Sequence, residues 1–349
     1  MNKFVKGYTF DDVLIIPDYS DIDSRSIPDV TTKLTNEINL AAPIIASCMD
    51  TVTEYRMARV MHYFGGLGIL HRFAPTKDRV EWVYRLARYK DAGQLIATAI
   101  GVSSEERAIA EQLVGTGADI LVVDVAHGDS SYCLAMVEWL KSKFPTLTVI
   151  AGNVATANGT IRLQEAGADA IRVGIGPGAA CTTRIVTGVG VPQLTAIMDC
   201  SEVATVPIIA DGGIKSSADF AKAIAAGASA VMCGSILAGS DESPGEKVRQ
   251  PDGHYYKEYR GMASKHAQID RHQGNVDEAS IVAEGAAGLV RYTGPVSNTI
   301  QQMVGGLKSS MSYVNARNIS EFQYKAEFME VTSFTVQENK PHGVLWAKS

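Results

Sequence analysis

No stretch of this chain is apolar for long enough to cross a bilayer, since none approaches the roughly 18 residues a spanning helix needs. The N-terminal MNKFVKGYTFDD has no apolar core of a secretory signal, so a cytoplasmic protein is expected. Cysteine is scarce. The five, Cys48, Cys133, Cys181, Cys200 and Cys233, are odd in number and contain no C-x-x-C pair. That argues against a disulfide framework and against a cysteine-rich zinc site. Cys133 and Cys200 read as buried small hydrophobes, a role that also remains open for Cys48 and Cys233. Positive charge is not in excess either: the formal net charge is −6. Broad electrostatic binding to nucleic acid or to an anionic membrane is therefore disfavoured, although a local basic pocket for a phosphate is not. There is no low-complexity segment and no internal repeat beyond the alternation described next.

What the chain does have is apolar content, 46% against 20% charged residues, enough for a large core. Eight short runs rich in Val, Ile and Ala recur, each followed by a helical pattern. They are Pro43–Ser47, Leu67–Arg72, Leu95–Gly101, Ile120–Ala126, Thr148–Val154, Ala170–Gly176, Pro207–Gly213 and Ala230–Ser235. Near-continuous apolar strands suit a sheet buried on both faces. The stretches Glu105–Gly115, Ser131–Phe144, Thr156–Gly167 and Ser217–Gly227 read as helices, several of them closed by a Gly-Ala-Asp or Gly-Ala-Ser turn. The expected fold is α/β, a closed (β/α)8 TIM barrel forming a single catalytic domain over residues 1–349. An open doubly wound sheet is second, because G-x-G-x-x-G is missing after the first strand. The first 40 residues form an N-terminal extension. The stretch of about 239–295 after the eighth strand is a long insertion whose core, Lys265–Ala283, reads as a polar active-site flap. Val296–Lys308 reads as the last barrel helix, and the rest as a C-terminal tail.

Barrel active sites are built from the loops that follow the strands. After the sixth strand come Gly174, Gly176 and Gly178, which allow close backbone approach to a ligand, and then Cys181-Thr182-Thr183-Arg184. A cysteine on such a loop is a candidate nucleophile, though one that merely packs would look the same from position alone. Asp211-Gly212-Gly213 and Gly234-Ser235 follow the seventh and eighth strands, where barrels often hold a phosphate on backbone N–H groups. Either glycine pair alone would suggest a tight turn. Together they suggest a nucleotide phosphate site, with Asp211 placed to accept from ribose hydroxyls.

Val173–Ile197 (VGIGPGAACTTRIVTGVGVPQLTAI) resembles the catalytic loop of the IMP dehydrogenase/GMP reductase family. So do Tyr8–Pro17, Met49–Val52, Asp211–Ile214, Leu237–Glu246 and Tyr259–Met262 in their places, so that the resemblance runs over nearly the whole chain. It implies that Cys181 attacks C2 of a purine nucleotide to form a covalent thioimidate-type intermediate, with Thr183 and Glu284 assisting proton transfer. It implies substrate contacts at Ser47, Asp211, Gly213, Gly234, Ser235, Tyr259, Gly261 and Met262. Asp124, Gly174 and Gly176 would meet the nicotinamide cofactor. Carbonyls of Gly176, Gly178 and Cys181 would bind potassium or another monovalent cation, and a homotetramer is expected. Ala179 departs from the serine that often touches the phosphate in this family.

Two family reactions share that intermediate. Dehydrogenases hydrolyse it with an Arg-Tyr pair in the flap, but here the matching place reads Asp270-Arg271-His272-Gln273-Gly274-Asn275-Val276. The missing tyrosine, the short flap, the lack of a CBS pair between Arg72 and Leu95, Ser24-Arg25-Ser26 and His71-Arg72-Phe73 resemble the reductase branch. Pro192–Thr195, Ser243–Glu246, the tail Gln337–His342, and Ile281 where many reductases have an arginine resemble the dehydrogenases. Loss of a general base typically costs 10²–10⁴-fold in rate, more than one base-reading contact does, so the flap outweighs the tail. NADPH-dependent reductive deamination of GMP to IMP is expected. NAD-dependent oxidation of IMP is the alternative, and a catalytically idle nucleotide-binding regulator is a third possibility that Cys181, Thr183 and Glu284 argue against.

Overall fold

The computed structural model describes residues 4–271 and 282–339, with the side chains of Arg271, Val336 and Gln337 left aside. Eight parallel strands close into a barrel: β1 (Ile44–Ala46), β2 (Leu67–Leu70), β3 (Ala97–Ile100), β4 (Ile120–Asp124), β5 (Thr148–Val154), β6 (Ala170–Val173), β7 (Ile208–Asp211) and β8 (Ala230–Cys233). Each pairs with its neighbour in chain order, and β8 pairs with β1 to complete the circle. All eight sequence-predicted strands are present, Thr148–Val154 over its full expected length and the other seven trimmed by a few residues at their ends.

The alternation of side chains along each strand divides the apolar residues between two cores. Ile45, Leu67, Ile69, Ala97, Ile120, Val122, Ile150, Ile209 and Met232 fill the barrel interior. Ile44, Leu121, Val123, Val149, Ile171, Val173, Ile208 and Val231 face the surrounding helices. The predicted helices appear as Ser104–Thr116, Ser131–Lys143, Ala157–Glu165 and Ser217–Ala225. The side chains of Ser130, Thr156 and Ser216 cap the last three by accepting N–H bonds in their first turns. The glycines of the expected closing turns, Gly117, Gly167 and Gly227, all have positive φ. A single helix, Thr76–Arg88, joins β2 to β3.

The extensions are tied to this frame. Leu34 and Leu40, from a small hairpin that precedes β1, join the interior core. Val13–Ile15 pairs antiparallel with Phe328–Glu330, so the N-terminal extension and the tail meet. The described part of the insertion contains regular elements on either side of residues 272–281. Val248–Arg249, Tyr255–Arg260 and Ala287–Arg291 form a three-stranded antiparallel ribbon, and Lys265–Arg271 is a helix. The last barrel helix runs over Val296–Tyr313, longer than expected, and packs on Ser217–Ala225.

Candidate active site

A cavity of about 700 Å³ opens at the C-terminal ends of the strands. That lies within the range of sites for small molecules and cofactors. Every site residue expected from the sequence lines it: Cys181, Thr183 and Glu284; Asp124, Gly174, Gly176 and Gly178; Ser47, Asp211, Gly213, Gly234, Ser235, Tyr259, Gly261 and Met262. Flap positions 272–281, including His272, Gln273, Gly274, Asn275, Val276 and Ile281, lie outside the described residues. So do Lys340, Pro341 and His342 of the tail.

Cys181 sits where the glycine loop turns into a short helix, Thr183–Thr187. Its thiol donates to Thr183 Oγ1 at 3.2 Å. On ionisation the same pair reverses, with the hydroxyl donating to the thiolate. A backbone ladder ties this loop to a segment a hundred residues away: Thr182 N–H bonds the Glu284 carbonyl at 2.9 Å and Ala286 N–H bonds the Ala180 carbonyl at 2.8 Å. Nucleophile and carboxylate candidates are thus parts of one stitched unit. Cys181 is partly exposed, whereas the other four cysteines are buried. Burial pushes the thiols of Cys48 and Cys133 up to about 12 and that of Cys200 up to about 11, and raises Cys233 as well. Raised in this way, those four stay protonated near neutral pH, as buried structural thiols do.

Beneath the cavity lies a charged network that the sequence reading did not single out. Arg172 projects from β6 into the barrel and is almost fully buried. It donates to Asp124 at 2.8 Å and to Asp211 at 2.7 Å, with Cys48 Sγ 3.7 Å away. Asn153 donates to the same Asp211 oxygen and to the Gly174 carbonyl, both at 2.8 Å. Arg72 reaches Asp124 at 3.3 Å. An arginine in the middle of AIRVGIG and an asparagine in TVIAGNV were the available signals, because a buried charge in an apolar strand demands partners.

Burial by itself would raise the Asp124 carboxyl, but the two guanidinium groups outweigh it and hold the carboxyl below its ordinary 3.8. The folded state therefore binds this proton less readily than the unfolded chain does. The resulting stability is present above the ordinary carboxylate range and is lost as pH falls through the lowered value. Asp124→Asn should flatten the acid limb of the thermal midpoint below about pH 5. An acid limb as steep as the parent's would contradict the assignment.

The rest of the cavity wall is equally crowded. Gly174 has φ +152, and a Cβ there would come within 2.0 Å of the Asp211 carbonyl, so no side chain fits where the loop crosses β7. Tyr259 is buried, its hydroxyl is 3.8 Å from Met49 Sδ, and burial raises its pKa to about 12, keeping it a hydrogen-bond donor. Met262 Sδ receives the Asp50 N–H at 3.5 Å. Lys215, on the cavity rim, bonds Asp11 at 2.7 Å, and Arg184 bonds the Val191 carbonyl. Among the described residues no cluster of His, Cys, Asp and Glu is suited to a metal ion. A cation here would have to be held by backbone carbonyls.

Residues 7–342 match the family described as the IMP dehydrogenase / GMP reductase domain. The inosine-5′-monophosphate dehydrogenase of Cryptosporidium parvum is 42% identical, over 97% of this chain and 96% of the relative. That of Aquifex aeolicus (strain VF5) is 36% identical, over 98% and 96%. A GMP reductase variant from Trypanosoma brucei, crystallised with guanosine 5′-monophosphate, superposes with a TM-score of 0.90 at 32% identity, covering 98% of this chain and 99% of that one.

Proposed function

Since the chain belongs to the IMP dehydrogenase/GMP reductase family, we propose that it is a GMP reductase, converting GMP to IMP and ammonia with NADPH. The observation that carries the chemistry is the joining of Cys181, Thr183 and Glu284 on one wall of a nucleotide-sized cavity. In this reading the Cys181 thiolate bonds to C2 of the purine, and the 2-amino group, given a proton through Thr183 and Glu284, leaves as ammonia. Bound NADPH supplies the hydride that C2 then takes as the thiolate departs. Asp211 keeps Oδ1 for the ribose hydroxyls, while Gly213, Gly234 and Ser235 offer backbone N–H groups to the phosphate and Tyr259 its hydroxyl. Ser47, Gly261 and Met262 flank the base. Asp124, Gly174 and Gly176 border the nicotinamide. The hard carbonyl oxygens of Gly176, Gly178 and Cys181 suit potassium better than a thiophilic metal. We read the chain as one catalytic domain without CBS modules, working in the cytoplasm as a homotetramer.

The reductase assignment rests on the flap, where Asp270-Arg271-His272 has no tyrosine to activate water for hydrolysis. The identity to two relatives named as dehydrogenases favours the second reading, oxidation of IMP with NAD. The two are separated by the near-ultraviolet absorbance of reduced nicotinamide, followed with potassium present. Cofactor oxidation and ammonia release with GMP plus NADPH, and no reduction with IMP plus NAD, is the expected result. NADH formation from IMP and NAD would overturn it and make Arg271 and His272 the candidates for water activation. Silence in both, with nucleotide still bound, would favour a regulator.

A further inference from the structure

We propose that Arg260 is a positioning residue, which latches the flap helix Lys265–Arg271 to the rim of the barrel through Asp270 on one side and Asp50 on the other. Tyr259 and Arg260 are neighbours on a ribbon strand, so they point to opposite faces. Tyr259 turns into the cavity. The Arg260 guanidinium spans two elements. Its Nε and Nη2 both donate to Asp50 Oδ2, at 3.0 and 2.6 Å, and its Nη1 donates to Asp270 Oδ2 at 2.6 Å. Its backbone N–H bonds Thr51 Oγ1 at 3.3 Å.

The two halves of this bridge differ in kind. Asp50 and Arg260 expose only 13% and 16% of their side chains, whereas Asp270 exposes 61%. Asp50 Oδ1 is buried with no partner among the described residues, so Arg260 is what neutralises that carboxylate. The Asp50 half is therefore a fixed post. The Asp270 half is an exposed ion pair, weakened by salt and able to open. It closes on the last turn of a helix whose Gln268 lines the cavity, and Asp270 directly precedes Arg271 and His272. The clasp thus sets where the chain leaves the helix after Asp270, while Tyr259 and Met262 are tied to the Asp50 side of it, away from Asp270.

This inference rests on the proposed function, in which the chain that follows Asp270 takes part in the reaction, and is tested with Asp270→Asn and Asp270→Glu. Since Asp270 is exposed, both variants should melt like the parent. For whichever nucleotide and cofactor pair turns over, Asp270→Asn should lower kcat roughly two- to fivefold, about what one exposed ion pair supports. The dissociation constant for GMP should not change, and Asp270→Glu should recover most of the loss. Added salt should slow the parent toward Asp270→Asn and leave that variant nearly unaffected. With GMP bound, amide exchange over residues 266–271 should quicken in Asp270→Asn. That measurement needs no turnover, so an inactive parent would defeat the proposed reaction without touching the latch. Unchanged kcat together with unchanged exchange would overturn the proposal. A loss of kcat accompanied by a lower melting temperature and weaker GMP binding, unrelieved by glutamate, would overturn it too by marking Asp270 as merely structural.

Discussion

Replacing Cys181 with alanine should lower turnover by at least about 10⁴-fold while GMP still binds. The size follows from how the site is arranged. The other four thiols are buried and held protonated, so no second sulfur can stand in. Thr183 Oγ1, 3.2 Å from the sulfur, is too weak a nucleophile to replace it. Binding should survive because the proposed phosphate, ribose and base contacts come from the ends of β1, β7 and β8 and from Tyr259, Gly261 and Met262, whereas the Cys181 side chain bonds Thr183. Steady-state rates give the first quantity and calorimetric titration with GMP the second. A Cys181→Ala protein with full activity would remove the covalent mechanism altogether. Loss of binding alongside activity would mean that the loop itself had collapsed.

Arg172→Met carries the second large effect, and it falls on stability as well as on activity. The substitution nearly matches the side chain in volume but leaves Asp124 and Asp211 facing each other across a buried interior without their shared cation. Breaking a buried pair by removing one partner typically costs about 3–5 kcal/mol. Here one guanidinium serves two carboxylates, so the upper part of that range is expected. Asn153 and Arg72 remain as partial partners, one for each carboxylate, and hold the cost from going higher. Denaturant unfolding measures the loss. The kinetic consequence should reach both halves of the cavity, raising KM for the nucleotide and for the cofactor. A shift confined to one ligand would show that Arg172 does not join the two sides.

Much of this architecture is legible in the sequence, for reasons that particular elements make plain. Strands buried on both faces must be apolar throughout, so LGILHR, ILVVDVA and AVMCGS announce themselves, and the loops that follow them carry the site. The ribbon does not. Tyr255–Arg260 alternates exposed and buried residues in a segment otherwise rich in polar residues, and only its pairing with Ala287–Arg291 makes it a strand. Likewise Val13–Ile15 has no strand character until Phe328–Glu330, three hundred residues later, lies beside it. Site residues were found where chemistry follows a strand end, as with Cys181 and Asp211. Those missed, Arg172, Asn153 and Arg260, act through partners distant in sequence. Arg172 hid within an apolar run and Arg260 within a polar one, and only the fold brings their carboxylates to them.

The ladder between the Cys181 loop and Glu284 bears on how this protein can change over time. Both ends of the insertion are anchored, one to β8 and the other to the nucleophile's own strand-like segment. The described chain on either side of residues 272–281 is thus held to the same frame. Closing a loop becomes costlier only with the logarithm of its length, about 0.6 kcal/mol for each doubling. Residues can therefore be added, deleted or exchanged between Arg271 and Val282 while the sulfur and the carboxylate keep their spacing. In the proposed function, bond-making chemistry and the choice of what happens next are written in separable stretches of the chain, so one can be revised by mutation without rewriting the other.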